Sequence, residues 1–191
     1  MKLHDIDALL KESLPEKRYI HSVNVMHEAA VLAEYHGINE KKACLAGLLH
    51  DCGREFSNVD IVLEAQKRGL ELSQIEIEQP VLIHAHLGKL IAQEKYGVQD
   101  AEVLQAIEEH TTGNKGMSEL SMVVFLADLI EPERKQKGVE KLRQLSRKNL
   151  HRAMLEAISL NIRFLLQSKR FIHPACIACW NDLKVRYGEE I

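Results

Sequence analysis

Apolar residues along this chain recur three and four positions apart, and no stretch alternates apolar with polar residues as a half-buried strand would. The pattern predicts helices almost throughout. A short one covers Asp5 to Glu12. Pro15 suits the first turn of a long helix running to about His36, where Gly37 stops it. Asn39 is suited to cap a third helix, Ser57 or Asn58 a fourth that ends near Arg68 before Gly69, and Ser73 a short fifth. Pro80 opens a helix to about Tyr96, and Asp100 to Thr112 forms the next, followed by the loop Gly113 to Gly116. Ser118 precedes a helix from Glu119 to Ile130, closed by Pro132. Beyond a basic connector carrying Arg134, Lys135 and Lys137, helices run from about Val139 to Asn149, on to Ser168, and from Pro174 to about Tyr187. No linker interrupts the apolar faces. The expected fold is all-α, a single compact multi-helix bundle with residues 1–191 in one domain.

One segment departs from the usual two-faced helix. Ala43 to Asp51, ACLAGLLHD, is apolar nearly all the way round and ends in His50-Asp51. A helix without a polar face belongs inside a domain. Its terminal imidazole and carboxylate therefore emerge into protein, where an ionised carboxylate is costly unless it is paired or binds a metal.

The same conflict recurs elsewhere. His21 lies in line with Val25, Ala29 and Leu32; His84 shares a stripe with Leu87, Gly88 and Ile91; His110 follows Val103, Ala106 and Ile107. Asp128 sits within MVVFLADLI, with only Ser121 as a polar neighbour on its helix. Any one such histidine is more often a hydrogen-bonded core residue than a ligand. Six ionisable groups on the apolar stripes of five helices are explained together by one shared metal centre. An all-nitrogen-and-oxygen donor set suits Fe, Mn, Zn, Co or Ni. Such a metal supplies a hydroxide-like nucleophile at neutral pH and polarises a phosphoryl oxygen. No Gly-rich nucleotide loop or serine-protease constellation accompanies it, so the expected reaction class is metal-assisted hydrolysis of a phosphate ester or anhydride.

Charge and cysteines narrow this further. With 25 Lys+Arg against 28 Asp+Glu, the net charge of -3 argues against nucleic acid held by bulk charge. Arg18, Arg54, Arg134, Lys169 and Arg170 nonetheless fall near predicted helix ends close to the ligand-bearing elements, and Arg18 and Arg54 lie within a turn of a proposed ligand. Guanidinium groups there suit phosphate oxygens. No apolar run is long enough to span a bilayer, and the acidic first residues do not form a signal peptide. The expectation is a cytoplasmic protein with no membrane and no nucleic-acid partner, and a homodimer is allowed. Cys44, Cys52, Cys176 and Cys179 are then expected as free thiols.

The order His21, His50-Asp51, Asp128 resembles the H…HD…D pattern of the HD superfamily of metal-dependent phosphohydrolases. The strings LLHDCGRE (48–55), LIHAHLG (82–88), EEHTTG (108–113) and FLADLIEPER (125–134) are similar to its YqeK branch, described as symmetrical diadenosine tetraphosphate hydrolases that yield two ADP. The resemblance runs from Arg18 to the last helix. It implies that His21, His50, Asp51 and Asp128 hold the metal, usually iron, and that Asp51, His84 and His110 are catalytic and could complete a second metal site. It also implies nucleotide and phosphate contacts from Arg18, His21, the run Asp51, Cys52, Gly53 and Arg54, His84, His110, Asp128 and Arg134. The segment Phe171, Ile172, His173, Pro174, Ala175 and Cys176 would close over the nucleoside. On this view residues 18–134 form the metal-binding core, and helices over 139–187 close the nucleotide site. The alternatives are a hydrolase of another nucleotide, a two-iron oxygenase of the same fold, or a nucleotide sensor without turnover.

Overall fold

The computed structural model describes residues 1–188. Eleven α-helices appear among them, and no strand: α1 (Leu3–Ser13), α2 (Glu16–His36), α3 (Glu40–Leu49), α4 (Asp60–Lys67), α5 (Gln74–Glu78), α6 (Ile83–Glu94), α7 (Ala101–Glu109), α8 (Glu119–Ile130), α9 (Val139–Lys148), α10 (Leu150–Gln167) and α11 (Pro174–Tyr187). Short 3-10 turns occupy Cys52–Glu55 and Pro80–Leu82.

The bundle is built around α8. Leu120 to Ala127 and Ile130 are all buried, and α2, α3, α7, α9 and α10 pack against it. Burial of side chains such as Met122 and Phe125 contributes roughly 1.5–3 kcal/mol each. Alongside, α2 and α3 form the most extensive helix pair. A Cβ on Gly47 would sit 3.0 Å from the Met26 Cα and 3.1 Å from the Val25 carbonyl. The small residues of α3 thus let two backbones approach, which sets His50 beside His21.

Helix ends follow the expected chemistry. The Asn39 side chain accepts from the Lys42 amide, Asp100 from Glu102 and Val103, and Ser118 from Ser121. Ser73 and Glu76 form a reciprocal capping box. Three boundaries differ from the sequence reading. The expected helix from Pro80 begins as a 3-10 turn and becomes regular only at Ile83. The helix expected to reach Thr112 ends at Glu109, and the His110 ring takes up the Ile107 carbonyl of the last turn. A further 3-10 turn follows Asp51, where the sequence pattern had no periodicity to show it. All four cysteines are free thiols. No helix among the described residues is long and apolar enough to cross a membrane.

Candidate metal centre

Six side chains converge from five elements: His21 from α2, His50 and Asp51 from the end of α3, His84 from the first turn of α6, His110 from the end of α7, and Asp128 from the last turn of α8. His50 is fully buried, and Asp51, His84 and His110 nearly so. The His21 Nε2 lies 3.0 Å from the Asp128 Oδ1, and the His50 Nε2 lies 4.0 Å from that oxygen and 3.9 Å from the Asp51 Oδ2. On the other side of Asp51, its Oδ1 is 3.2 Å from the His84 Nε2 and 3.7 Å from the His110 Nε2. Three overlapping groups thus bring their donor atoms within 4.8 Å of one another: His21, His50 and Asp51; His50, His110 and Asp128; and Asp51, His84 and His110.

The tautomers follow from the backbone. The His50 Nδ1 donates to the Gly47 carbonyl at 2.8 Å, the His84 Nδ1 to Val81 and the His110 Nδ1 to Ile107 at 2.7 Å. A carbonyl cannot donate, so each Nδ1 carries a proton and each ring turns its Nε2 inward. For α3 and α7 the accepting carbonyls belong to the last helical turn, where they lack intrahelical partners. One hydrogen bond finishes the helix and aims the imidazole. The His50 Nε2 has no hydrogen-bond partner although it is buried. An orphaned buried nitrogen amid lone pairs and two carboxylates fits a bound cation.

Burial pushes the His50 and His84 rings down to about 4, overcoming the nearby Asp51 charge, so both are neutral at pH 7. Burial opposes ionisation of Asp51 and Asp128, but their surroundings reverse it. A proton taken up by His50, or at the Nε2 of His110 or His84, would hold the Asp51 carboxyl well below the usual carboxylate range. The His21 ring, when protonated at both nitrogens, donates from Nε2 and with the Arg134 charge holds Asp128 below its ordinary range, and a proton taken up by His50 would act the same way. His21 is raised: burial lowers it, and the hydrogen bond and charge of Asp128 outweigh that.

Three arginines meet the two carboxylates. Arg54 donates Nε to the Asp51 Oδ1 at 2.7 Å, Arg18 reaches the Asp51 Oδ2 at 3.4 Å, and Arg134 grips the Asp128 Oδ1 at 2.5 Å and the Asp128 carbonyl at 2.8 Å. A cleft of about 650 Å³ opens above them, lined by Lys17, Arg18, His21, Asp51, Arg54, Asp128, Glu131 and Arg134. A smaller hollow of about 190 Å³ beside it shares Arg18 and Arg54 and adds Phe56, Asn58, Ile61 and His84.

Gly53 and Cys52 face packing partners. A Cβ on Gly53 would fall 2.2 Å from the His84 carbonyl, and the Cys52 thiol donates to the Gly88 carbonyl at 3.2 Å. The 171–176 segment leads into α11. Phe171 is exposed, Cys176 is buried, and His173 caps α11 by accepting from the Ala175 amide. His173 and Pro174 line a separate hollow of about 390 Å³ with Glu76 and His86. His86 lies 3.4 Å from the Glu76 Oε1 and 3.3 Å from the Glu108 Oε1.

Two residues at the centre escaped the sequence reading. The Thr111 hydroxyl lies 3.2 Å from the His84 Nε2 and 3.1 Å from the His110 Nε2. Asn24 donates to the Glu131 Oε2 at 3.2 Å. Both are polar residues near a turn or on an exposed-looking helix face, so hydropathy carries no signal for them.

A bundle whose helices deliver four histidines and two aspartates to one centre, with the order H…HD…D among them, belongs to the HD domain family, whose profile matches residues 18–133. That family membership carries divalent metal binding with it. The chain is 37% identical to a symmetrical bis(5'-nucleosyl)-tetraphosphatase of Halalkalibacterium halodurans, over 92% of this chain and 93% of that one. It is 35% identical to a protein of the same name from Bacillus subtilis, over 92% and 94%. A solved structure from Clostridium acetobutylicum, described as an HD superfamily hydrolase involved in NAD metabolism, superposes with a TM-score of 0.93 at 36% identity, covering 97% of this chain and 98% of that one.

Proposed function

We propose that this chain hydrolyses diadenosine tetraphosphate symmetrically, breaking the central anhydride to give two ADP. The observation that carries the reading is the convergence of four His Nε2 atoms on Asp51 and Asp128 beneath three arginines. It combines a cation site with a polyanion site. The relatives named for this activity match the chain over nearly its whole length, and their being hydrolases weighs against an oxygenase or a sensor without turnover.

His21, His50, Asp51 and Asp128 would hold the metal; Asp51, His84 and His110 could hold a second, and with one metal bound the two histidines keep Nε2 for the reaction. Iron is the metal this reading takes; Mn, Co, Ni and Zn accept the same donors. When bound, a metal here supplies a hydroxide-like nucleophile at neutral pH and draws charge from a phosphoryl oxygen. The chain's own residues do the rest. Arg18, Arg54 and Arg134 pair with phosphate oxygens and hold the anhydride over the carboxylates. His84, neutral with Nδ1 tied to Val81, takes a proton from the nucleophile at Nε2. As an imidazolium it then donates to the phosphoryl oxygen on which charge builds, with His110 beside it. ADP leaves as the anion. Residues 171–176 and the helices over 139–187 would close on the nucleoside, and this reading has the enzyme working in the cytoplasm.

Asp51→Ala tests the assignment, because Asp51 is the one residue between both halves of the centre. The purified variant is expected to lose bound metal and at least 10³-fold in hydrolysis. Retention of both would remove the basis of the proposal.

A further inference from the structure

Each of the four histidines anchors its ring through Nδ1, but the partners are not alike. His50, His84 and His110 use main-chain carbonyls three residues earlier. Those acceptors come with the helix or turn and carry only a partial charge. His21 lies in the middle of α2, where the carbonyls are committed to the helix's own ladder. Its Nδ1 instead meets a carboxylate 110 positions away, the Glu131 Oε1 at 3.3 Å.

Glu131 is built in firmly. It is 2% exposed. Its Oε2 accepts from the Asn24 side chain at 3.2 Å and the Glu133 amide at 2.8 Å. Arg143 of α9 donates to the carbonyls of Ile130, Glu131 and Arg134 at 2.7–2.8 Å, clasping the segment from behind. The His21 ring therefore stands between two carboxylates, Glu131 at Nδ1 and Asp128 3.0 Å from Nε2. Whichever attracts the ring proton more strongly decides which nitrogen keeps its lone pair.

We infer that Glu131 is a positioning residue of the centre, whose carboxylate holds the His21 proton on Nδ1 and so keeps the Nε2 lone pair facing Asp128 and the cation site. Glu131 acts through His21 and does not reach the cation itself. A full negative charge behind an imidazole also makes the ring a stronger donor than a carbonyl does. Without that charge, Asp128 draws the proton to Nε2 and His21 no longer offers a ligand. The inference rests on the reading of His21 as a metal ligand and goes beyond it, since nothing in the ligand set itself requires a charged partner at Nδ1.

The test uses the full chain with Glu131→Gln and Glu131→Met. In metal-free protein at pH 8.5, nitrogen NMR of labelled histidine is expected to show His21 as the Nδ1–H form in the wild type and as Nε2–H in Glu131→Met. Manganese(II) titration followed by electron paramagnetic resonance is expected to show affinity about tenfold weaker for Glu131→Gln and up to about 100-fold weaker for Glu131→Met. Glu131→Gln keeps the shape and a neutral acceptor, so its titration alone decides the matter if Glu131→Met does not fold. An unchanged tautomer with affinity within twofold of wild type in the folded variants overturns the inference and leaves the metal reading intact. Wild type that takes up no manganese, or His21→Ala that binds it undiminished, overturns the ligand reading and the inference with it.

Discussion

The Nε2 atoms of His84 and His110 lie 3.0 Å apart, although the Nδ1 of each ring donates to a main-chain carbonyl. Two nitrogen lone pairs thus face each other next to the Asp51 Oδ1. Among the described residues, only the Thr111 hydroxyl is placed to donate to one of them. Such an arrangement is unfavourable in a resting core and suits a group that receives a proton or a cation. His110→Ala removes one of the opposed lone pairs. It is expected to leave the melting temperature of the metal-free protein unchanged or slightly raised, while kcat falls about 10²–10³-fold. A fall of less than tenfold would deny His110 a part in the reaction.

Gly53 tests how the turn after Asp51 is held. A Cβ there would lie 2.2 Å from the His84 carbonyl and 2.9 Å from the Gly88 amide, both backbone atoms of α6. Neither can move without shifting His84. Gly53→Ala is expected to cost about 3 kcal/mol in urea unfolding and to lower activity by separating Asp51 from His84. The urea midpoint measures the first effect, and a loss under 1 kcal/mol would mean the turn has room to slide.

This glycine also shows what the sequence could and could not convey. His21, His50, Asp51, His84, His110 and Asp128 were legible because each is a polar residue on an otherwise apolar helical stripe, and burial of such a group demands a partner. The burial of α3 was legible too, because ACLAGLLHD has no polar face. Gly53 read as part of a nucleotide-binding run, yet its lack of a side chain is what seats the turn against α6. Glu131 carries no such signal, because helix periodicity stops at Ile130 and nothing local reveals that His21 lies opposite. Partnerships across 110 positions leave no trace in a 3.6-residue period.

Stability of the metal-free protein should depend on pH in a defined window. Burial lowers the His50 and His84 rings from 6.5 to about 4. Between those values the unfolded chain binds protons that the folded chain refuses, so stability falls as pH drops from about 6.5 to 4. Each ring contributes about 3 kcal/mol across that range. His21, whose ring is raised, acts above this window: its contribution grows as pH falls toward 6.5 and is constant below it. Asp51 and Asp128, whose carboxyls are lowered, keep stabilising the fold until the pH falls below the ordinary carboxylate range. Urea midpoints at pH 7 and pH 4.5 measure the net effect, expected as a clear decrease at the lower pH. Equal midpoints would mean the two rings are not neutral in the fold.

The central claim is symmetrical cleavage of a dinucleoside tetraphosphate at the His-Asp centre, and chromatography of the products made by metal-loaded protein from diadenosine tetraphosphate tests it most directly. The account predicts ADP as the sole nucleotide product, two per substrate, and no product from Asp51→Ala. Formation of AMP with ATP, or an untouched substrate in the presence of iron or manganese, would contradict it.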